Sequence, residues 1–222
     1  YYLARWTLRP IENTHRSLER FTADASHELR TPIAAMQTET EVTLMNPKLT
    51  LKEAKEQLES NLEELHKLTG LTDMLLQVAR YNEYEAMNFE TVDIRNIIED
   101  SIRKVDAMAK NKSIHISYEK PSSSLNVRVD PASIEQAIII ILENAIKYSS
   151  KGKQVTVSAE DSGNEVQVTV KDNGQGISKE NLKHIFERFY RADSSRAKQG
   201  QKGYGLGLSI AKSIVSKNEG TI

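Results

Sequence analysis

The sequence predicts an α+β protein in two parts. An N-terminal antiparallel helical hairpin forms a dimeric four-helix bundle, and an α/β domain follows it. Three observations point there. Apolar residues recur at spacings of three and four through the first third of the chain. One short polar turn, "NPKLT" (Asn46 to Thr50), divides that stretch. Beyond Asn88 the period shifts to strand-like alternation interleaved with helical runs.

The first helix is expected over residues 11 to 46, with Leu18, Phe21, Ala25, Leu29, Ile33 and Met36 as its apolar seam. Pro47 ends it. The second is expected from Leu51 towards Ala86. Leu58, Asn61, Leu65, Leu68, Thr72, Leu75 and Ala79 keep a heptad spacing there, and Leu51 and Leu62 broaden the stripe. Two long helices with a short loop lie antiparallel. One hairpin covers neither stripe well, whereas a homodimer buries both.

In the second part, "SIHISYEK" alternates as a strand, and "LNVRVD" is a short strand leading into a helix. Asp130 caps that helix and Pro131 occupies its first turn. The helix runs through "PASIEQAIIIILENAIKYSS". "QVTVSAEDSGNEVQVTVKDNGQG" is a hairpin turning at "DSGN". A helical stretch is expected around "ENLKHIFERFYRA", then a polar loop from Asp193 to Gly203. Last, "GYGLGLSIAKSIVSK" is a glycine turn opening a helix.

Composition narrows the chemistry. Hydrophobic residues make up 38% and charged residues 27%, enough for a core with a solvated surface. A formal net charge of -1 argues against a nucleic-acid binder that relies on phosphate neutralisation. With no cysteine, disulfides, zinc clusters and thiol catalysis are excluded. No run of about 18 apolar residues is present to span a bilayer. The opening "YYLARWTLRP" is expected to be the cytoplasmic exit of a membrane helix lying upstream; a frayed helix start reads the same residues.

The first helix carries "FTADASHELRTPIAAMQ" (Phe21 to Gln37). A helix turns about 100° per residue, which places His27 about 180° from the seam, facing solvent. Thr31 follows one turn later on nearly the same face. A neutral imidazole is nucleophilic, and the adjoining Glu28 can draw the proton from its far nitrogen. Pro32 removes a backbone donor and leaves the Glu28 carbonyl unpaired, so the helix is expected to bend or loosen there. A lone exposed histidine is by itself an inert surface residue; the neighbourhood is what argues otherwise. His15, His66, His115 and His184 are expected to be solvated or satisfied.

A nucleophile of this kind needs a phosphoryl donor, and no G-x-x-x-x-G-K-[ST] loop exists. Four other pieces suit a nucleotide. In "ENAIKYS", Asn144, Lys147 and Tyr148 gather on one helix face, where a neutral oxygen and a cation suit a magnesium-bound phosphate. In "VKDNGQGI", Asp172 ends a strand as an expected buried carboxylate able to accept from an amino group, and Gly174 and Gly176 permit a tight turn. In "IFERFYR", Phe186 and Phe189 anchor the segment and Arg191 reaches phosphate. In "GYGLGLSIAK", Gly203, Gly205 and Gly207 present backbone donors at a helix start.

"SHELRTP" resembles the phosphoacceptor box of sensor histidine kinases, and the four later pieces, in this order, are similar to the N, G1, F and G2 boxes of their ATP domain. The resemblance implies that His27 accepts the phosphoryl group, that Glu28 acts as base, and that Thr31 positions water for a phosphatase reaction. It implies an α/β sandwich binding ATP and Mg²⁺. Asn144 would hold the metal, and Lys147 and Arg191 the phosphates. Asp172 would select adenine. Tyr148, Gly174, Gly176, Ile177, Tyr190, Gly203, Gly205, Leu206 and Gly207 would line the nucleotide, and Asp193 to Gly203 would be its lid. The division implied is residues 1–20 as a membrane-proximal linker and helix start, 21–87 as the dimerisation and phosphotransfer hairpin, and 88–222 as the catalytic domain, with a hinge near Arg80 to Asn88. The implied partners are a second copy and a response-regulator receiver domain whose aspartate takes the phosphoryl group. The implied location is the cytoplasmic face of a bacterial plasma membrane.

Three departures from the family pattern stand out. Ile140 replaces a second asparagine one turn before Asn144, at the position where related ATPases carry the glutamate that activates water. Tyr204 stands where threonine is commoner, and after "NEGTI" the family continues into further strands, so the sheet is expected to be short of them. Two rival readings follow: a nucleotide-driven ATPase or clamp of the same superfamily, and a non-catalytic dimeric scaffold with a degenerate nucleotide site.

Overall fold

The structure, a computed structural model, describes residues 2–80, 87–163, 165–192 and 203–222; side chains before Phe21 and that of Arg80 lie outside the description. The chain divides into two compact units, one ending at Gln77 and the other beginning at Val78.

The first unit is a pair of helices, α1 (Tyr2–Met45) and most of α2 (Leu51–Arg80). Helix α1 begins well before the expected residue 11 and runs unbroken through Pro32, with no interruption beside His27. The link is short because both its sides are capped. Asn46 Oδ1 accepts from the Lys48 N–H at 3.0 Å. Thr50 and Glu53 form a reciprocal capping box: the Glu53 N–H donates to Thr50 Oγ1 at 3.2 Å, and the Thr50 N–H to Glu53 Oε2 at 2.8 Å. Helix α2 ends at Arg80, and residues 81–86, which hold the expected helix end and most of the hinge, lie outside the described residues.

The single expected α2 stripe divides in two. Asn61, Leu68 and Leu75 are half-buried, whereas Leu58, Leu62 and Leu65 are 68%, 53% and 51% exposed, and Thr72 and Ala79 are also exposed. On α1, Ala25 is buried, Phe21, Leu29 and Met36 are half-buried, and Ile33 is 49% exposed. Between the helices, Asn61 Nδ2 donates to Thr40 Oγ1 at 3.1 Å and Gln57 Nε2 to Glu39 Oε2 at 3.2 Å. Polar side chains therefore occupy seam positions near the turn, and leucines sit outside.

The second unit has a helical layer against strands. Its elements are β1 (Glu90–Asp93), α3 (Ile94–Asn111), β2 (His115–Glu119), β3 (Asn126–Val129), α4 (Pro131–Tyr148), β4 (Gln154–Asp161), β5 (Val166–Lys171) and α5 (Gly207–Lys217). Strands β1 and β3 pair antiparallel, and β2, β4 and β5 form a mixed sheet with β2 parallel and β5 antiparallel to β4. Helix α3 and strand β1 were not anticipated. Helix α3 forms because Asp93 caps it, accepting from the Arg95 N–H at 3.1 Å, and because Ile94, Ile97, Ile98, Ser101, Val105 and Ala109 line one buried face. The expected helix over "ENLKHIFERFYRA" is instead a 3-10 turn at Asn181–Lys183 followed by turns. Phe189 has φ 60°, a conformation no helix tolerates.

The core lies between α3, α4 and the mixed sheet, where Ile98, Leu142, Ile146, Val155 and Val157 are fully buried. Each such side chain contributes about 1.5–3 kcal/mol of transfer free energy. Asp130 ties three parts of the unit together. Its Oδ1 accepts from the Ser133 N–H at 2.9 Å at the start of α4, and its Oδ2 from the Asn88 N–H at 2.9 Å. Its own N–H donates to Asn218 Oδ1 at 2.7 Å, at the end of α5. Buried Asn218 also donates to Ser133 Oγ at 2.9 Å and to the Ile214 carbonyl at 2.9 Å.

Candidate active site

In the first unit, His27, Glu28 and Thr31 are all exposed. Thr31 Oγ1 donates to the His27 carbonyl at 3.1 Å, so the hydroxyl is committed to the backbone beneath the imidazole. The histidine is thus a ring presented to solvent from an unbroken helix, with a carboxylate next in sequence. His66 and His115 are exposed, and His184 Nδ1 lies 2.7 Å from Glu187 Oε1.

In the second unit a cavity of about 1410 Å³ opens beside α4. Of the residues singled out from sequence, Asn144, Tyr148, Asp172, Gly176, Ile177, Tyr190 and Arg191 line it. Lys147, Gly174, Gly203, Gly205, Leu206 and Gly207 stand around it without lining it. Leu206 is fully buried, so its side chain belongs to the core and only its backbone is left to the site. Asp172 is exposed rather than buried, because it sits on the turn after β5; its Oδ1 accepts from the Gly174 N–H at 2.8 Å. Residues 193–202, nearly all of the expected lid, lie outside the described residues.

Two close approaches explain glycines. A Cβ on Gly174 would stand 2.7 Å from both Asp172 Oδ1 and the Tyr148 carbonyl oxygen, where residues 149 and 174 form a bridge. A Cβ on Gly205 would stand 2.6 Å from the Tyr190 carbonyl oxygen, and φ at Gly205 is 71°. The turn into α5 therefore presses on the segment carrying Tyr190 and Arg191. Tyr190 is held in addition by its hydroxyl, which donates to Asn181 Oδ1 at 2.8 Å. Ile140 is buried, with Cγ2 3.2 Å from where a Gly207 Cβ would stand, so it packs α4 against the start of α5.

Lys147 lies with Nζ 5.0 Å over the Tyr148 ring. Burial first, and the Arg191 charge second, hold its pKa below the usual lysine value. Two cations that repel across a cavity wall are what an anionic ligand relieves. Asn144 supplies a half-buried amide oxygen, a hard neutral donor of the kind Mg²⁺ takes alongside substrate phosphate oxygens. Among the described residues no three His, Cys, Asp or Glu side chains cluster as a metal site. Sequence reasoning passed over Ile141 and Ala145, which also line the cavity; their spacing from Asn144 and Tyr148 on one face of α4 was the available signal.

Residues 17–83 match the His Kinase A (phospho-acceptor) domain family. Residues 129–222 match the family described as histidine kinase-, DNA gyrase B-, and HSP90-like ATPase. The chain is 32% identical over 222 residues to sensor protein CiaH of Streptococcus pneumoniae, covering all of this chain and 49% of that protein. It is 33% identical over 218 residues to sensor histidine kinase CusS of Escherichia coli K12, covering 96% of this chain and 44% of that protein. The chain therefore spans about half the length of the curated relatives it matches. Among solved structures, the histidine kinase AdeS of Acinetobacter baumannii superposes with a TM-score of 0.67 at 26% identity, over 88% of this chain and 89% of that one. ShkA in complex with AMPPNP gives 0.62 at 25% identity, over 87% of this chain and 40% of that one. Among the described residues no helix is long and apolar enough to cross a membrane.

Proposed function

We propose, from the premise that the chain belongs to the sensor histidine kinases, that it transfers the γ-phosphoryl group of Mg-ATP to His27 and passes it on to an aspartate of a response-regulator receiver domain. The observation that carries this is the pairing of one solvent-presented imidazole in "SHELRTP" with a cavity, in the other unit, lined by Asn144, Asp172 and Arg191.

Each residue has a task. His27 attacks in its neutral form, and Glu28 takes the proton from the far ring nitrogen. Asn144 holds Mg²⁺, which when bound neutralises phosphate charge. Lys147 and Arg191 bind the phosphate oxygens, and their mutual repulsion is relieved as they do so. Asp172 accepts from the adenine amino group, and Gly176, Ile177 and Tyr148 enclose the base. Thr31 assists a phosphatase reaction by orienting water. Positioning and charge neutralisation dominate such a transfer, so no covalent help is needed from the second unit. Ile140 offers no group to activate water, which favours transfer to His27 over plain hydrolysis.

A second copy is the partner for the leucine stripe of α2. Leu51, Leu58, Leu62 and Leu65 are outward at near-heptad spacing while polar side chains take seam positions near the turn, and a four-helix bundle buries them. The aromatic and basic run "YYLARW" has the composition of a segment at a membrane–water interface, which supports a location at the cytoplasmic face of a membrane. The test is incubation with γ-labelled ATP of the wild type and His27→Gln. Label that is acid-labile, alkali-stable and absent from the variant supports the kinase. Equal ATP turnover by both proteins without label supports the ATPase clamp instead, and failure to bind Mg-ATP supports the scaffold.

A further inference from the structure

Lys112 closes α3 and belongs to none of the sequence motifs. Its N–H donates to the Ala109 carbonyl at 3.1 Å, and Ser113 follows with φ 56°. That left-handed turn ends the helix and sends the chain back into β2. The half-buried side chain of Lys112 crosses to the end of α4. There Nζ donates to the Ile146 carbonyl at 3.0 Å and also to the Lys147 carbonyl. A helix leaves its last four carbonyls without partners within the helix. At α4 the Ser149 N–H takes the Ala145 carbonyl at 3.0 Å, and the Lys112 ammonium takes the next two. Its charge also meets the negative end of the helix dipole.

The turn so closed is the one that carries Lys147 and Tyr148 to the cavity. Two ammonium groups therefore share one helix end. Burial, and after it the Lys147 charge, lower the pKa of Lys112. Lys112 is pinned by two carbonyls, and Lys147 Nζ lies out over the Tyr148 ring and towards Gly203. We propose that Lys112 is a positioning residue of the nucleotide site: it fixes the last turn of α4, and through that turn the placing of Lys147 and Tyr148. This rests on the nucleotide reading above. Lys112 does not line the cavity and touches no ligand itself.

The experiment uses the whole chain. The affinity for Mg-AMPPNP is measured by titration calorimetry, with kcat and KM for autophosphorylation, in wild type, Lys112→Met, Lys112→Arg and Asp93→Asn. Asp93→Asn loosens the far end of α3 and serves as the stability control. Lys112→Met is expected to weaken the analogue and raise KM on the order of tenfold, in the range typical of groups that hold a ligating residue in place. With kcat little changed, Lys112→Arg restores most of the affinity and Asp93→Asn keeps it. Wild type that binds, with Lys112→Met binding equally well, overturns the proposal alone. An equal loss in Asp93→Asn also overturns it, since the effect is then one of stability. Wild type that binds no analogue overturns the nucleotide reading and this proposal together.

Discussion

Replacing Asp93 by Asn keeps a side chain that caps helices well but removes its charge. The Asp93 carboxylate accepts from Arg95 Nε at 2.9 Å and Nη2 at 2.6 Å, and from the N–H of Leu125 at 3.3 Å. Arg95 Nη1 goes on to the Pro121 carbonyl at 3.1 Å, so the pair fastens the loop before β3 to the start of α3. The bonds from the Arg95 side chain are the main reason the Asp93 pKa falls from 3.8 to about 2. At about 1.36 kcal/mol per pH unit, that interval amounts to at most about 2 kcal/mol, since a side chain 17% exposed is partly screened. The folded pKa is depressed, so this stabilisation is complete above the unfolded value of 3.8 and disappears as pH falls through about 2. About half of it remains at pH 3. For a unit of this size the loss at pH 7 lowers Tm by about 4–8 °C. Differential scanning calorimetry from pH 7 to pH 3 reads the gap between wild type and Asp93→Asn, in the transition that the substitution moves. The gap should narrow to about half by pH 3. A gap of constant size across that range, or none at pH 7, refutes the ionic account.

Gly205→Ala forces a left-handed residue to carry a Cβ against the Tyr190 backbone; the conformation alone costs about 1–2 kcal/mol, and Mg-AMPPNP affinity should fall about tenfold. An unchanged Kd in titration calorimetry would show that the approach of the α5 turn to Tyr190 is unnecessary for binding. Leu58→Lys with Leu62→Lys places two ammonium groups on the outward stripe of α2 and should weaken self-association by about 100-fold or more in sedimentation equilibrium. Undiminished dimerisation would move the interface elsewhere.

What the sequence disclosed follows from the range of the forces involved. Helix α4 and the β4–β5 hairpin were legible because their signals are local: Asp130 with Pro131 at one helix end, and alternation around "DSGN". Helix α3 was equally local, with Asp93 as cap, yet its narrow stripe of Ile94, Ile97, Ile98 and Val105 sits among many charges, beside the plainer alternation of "SIHISYEK". The segment from Asn181 to Arg191 misled for the opposite reason. It has a helical composition, but its path is imposed from outside, by the Tyr190 hydroxyl on Asn181 and by the close approach of Gly205. On α2, one-dimensional spacing merged two stripes, and the packing against α1, Asn61 on Thr40 among it, separates the inner one from the outer. The site residues on α4 were readable from helical spacing. Asp172 was misjudged because its exposure depends on where β5 ends, and Lys112 was invisible because its partners lie 34 and 35 positions away.

The single carboxylate and amide at Asp130 receive both the incoming strand of chain at Asn88 and the outgoing cap at Asn218. The segment before β1 and the end of α5 are thereby tied together at the foot of α4, opposite the end that Lys112 secures. Without the Asn218 side chain the Asp130 amide and the Ser133 hydroxyl would lose their partner together. Asn218 therefore acts as a latch that holds the end of α5 on the start of α4.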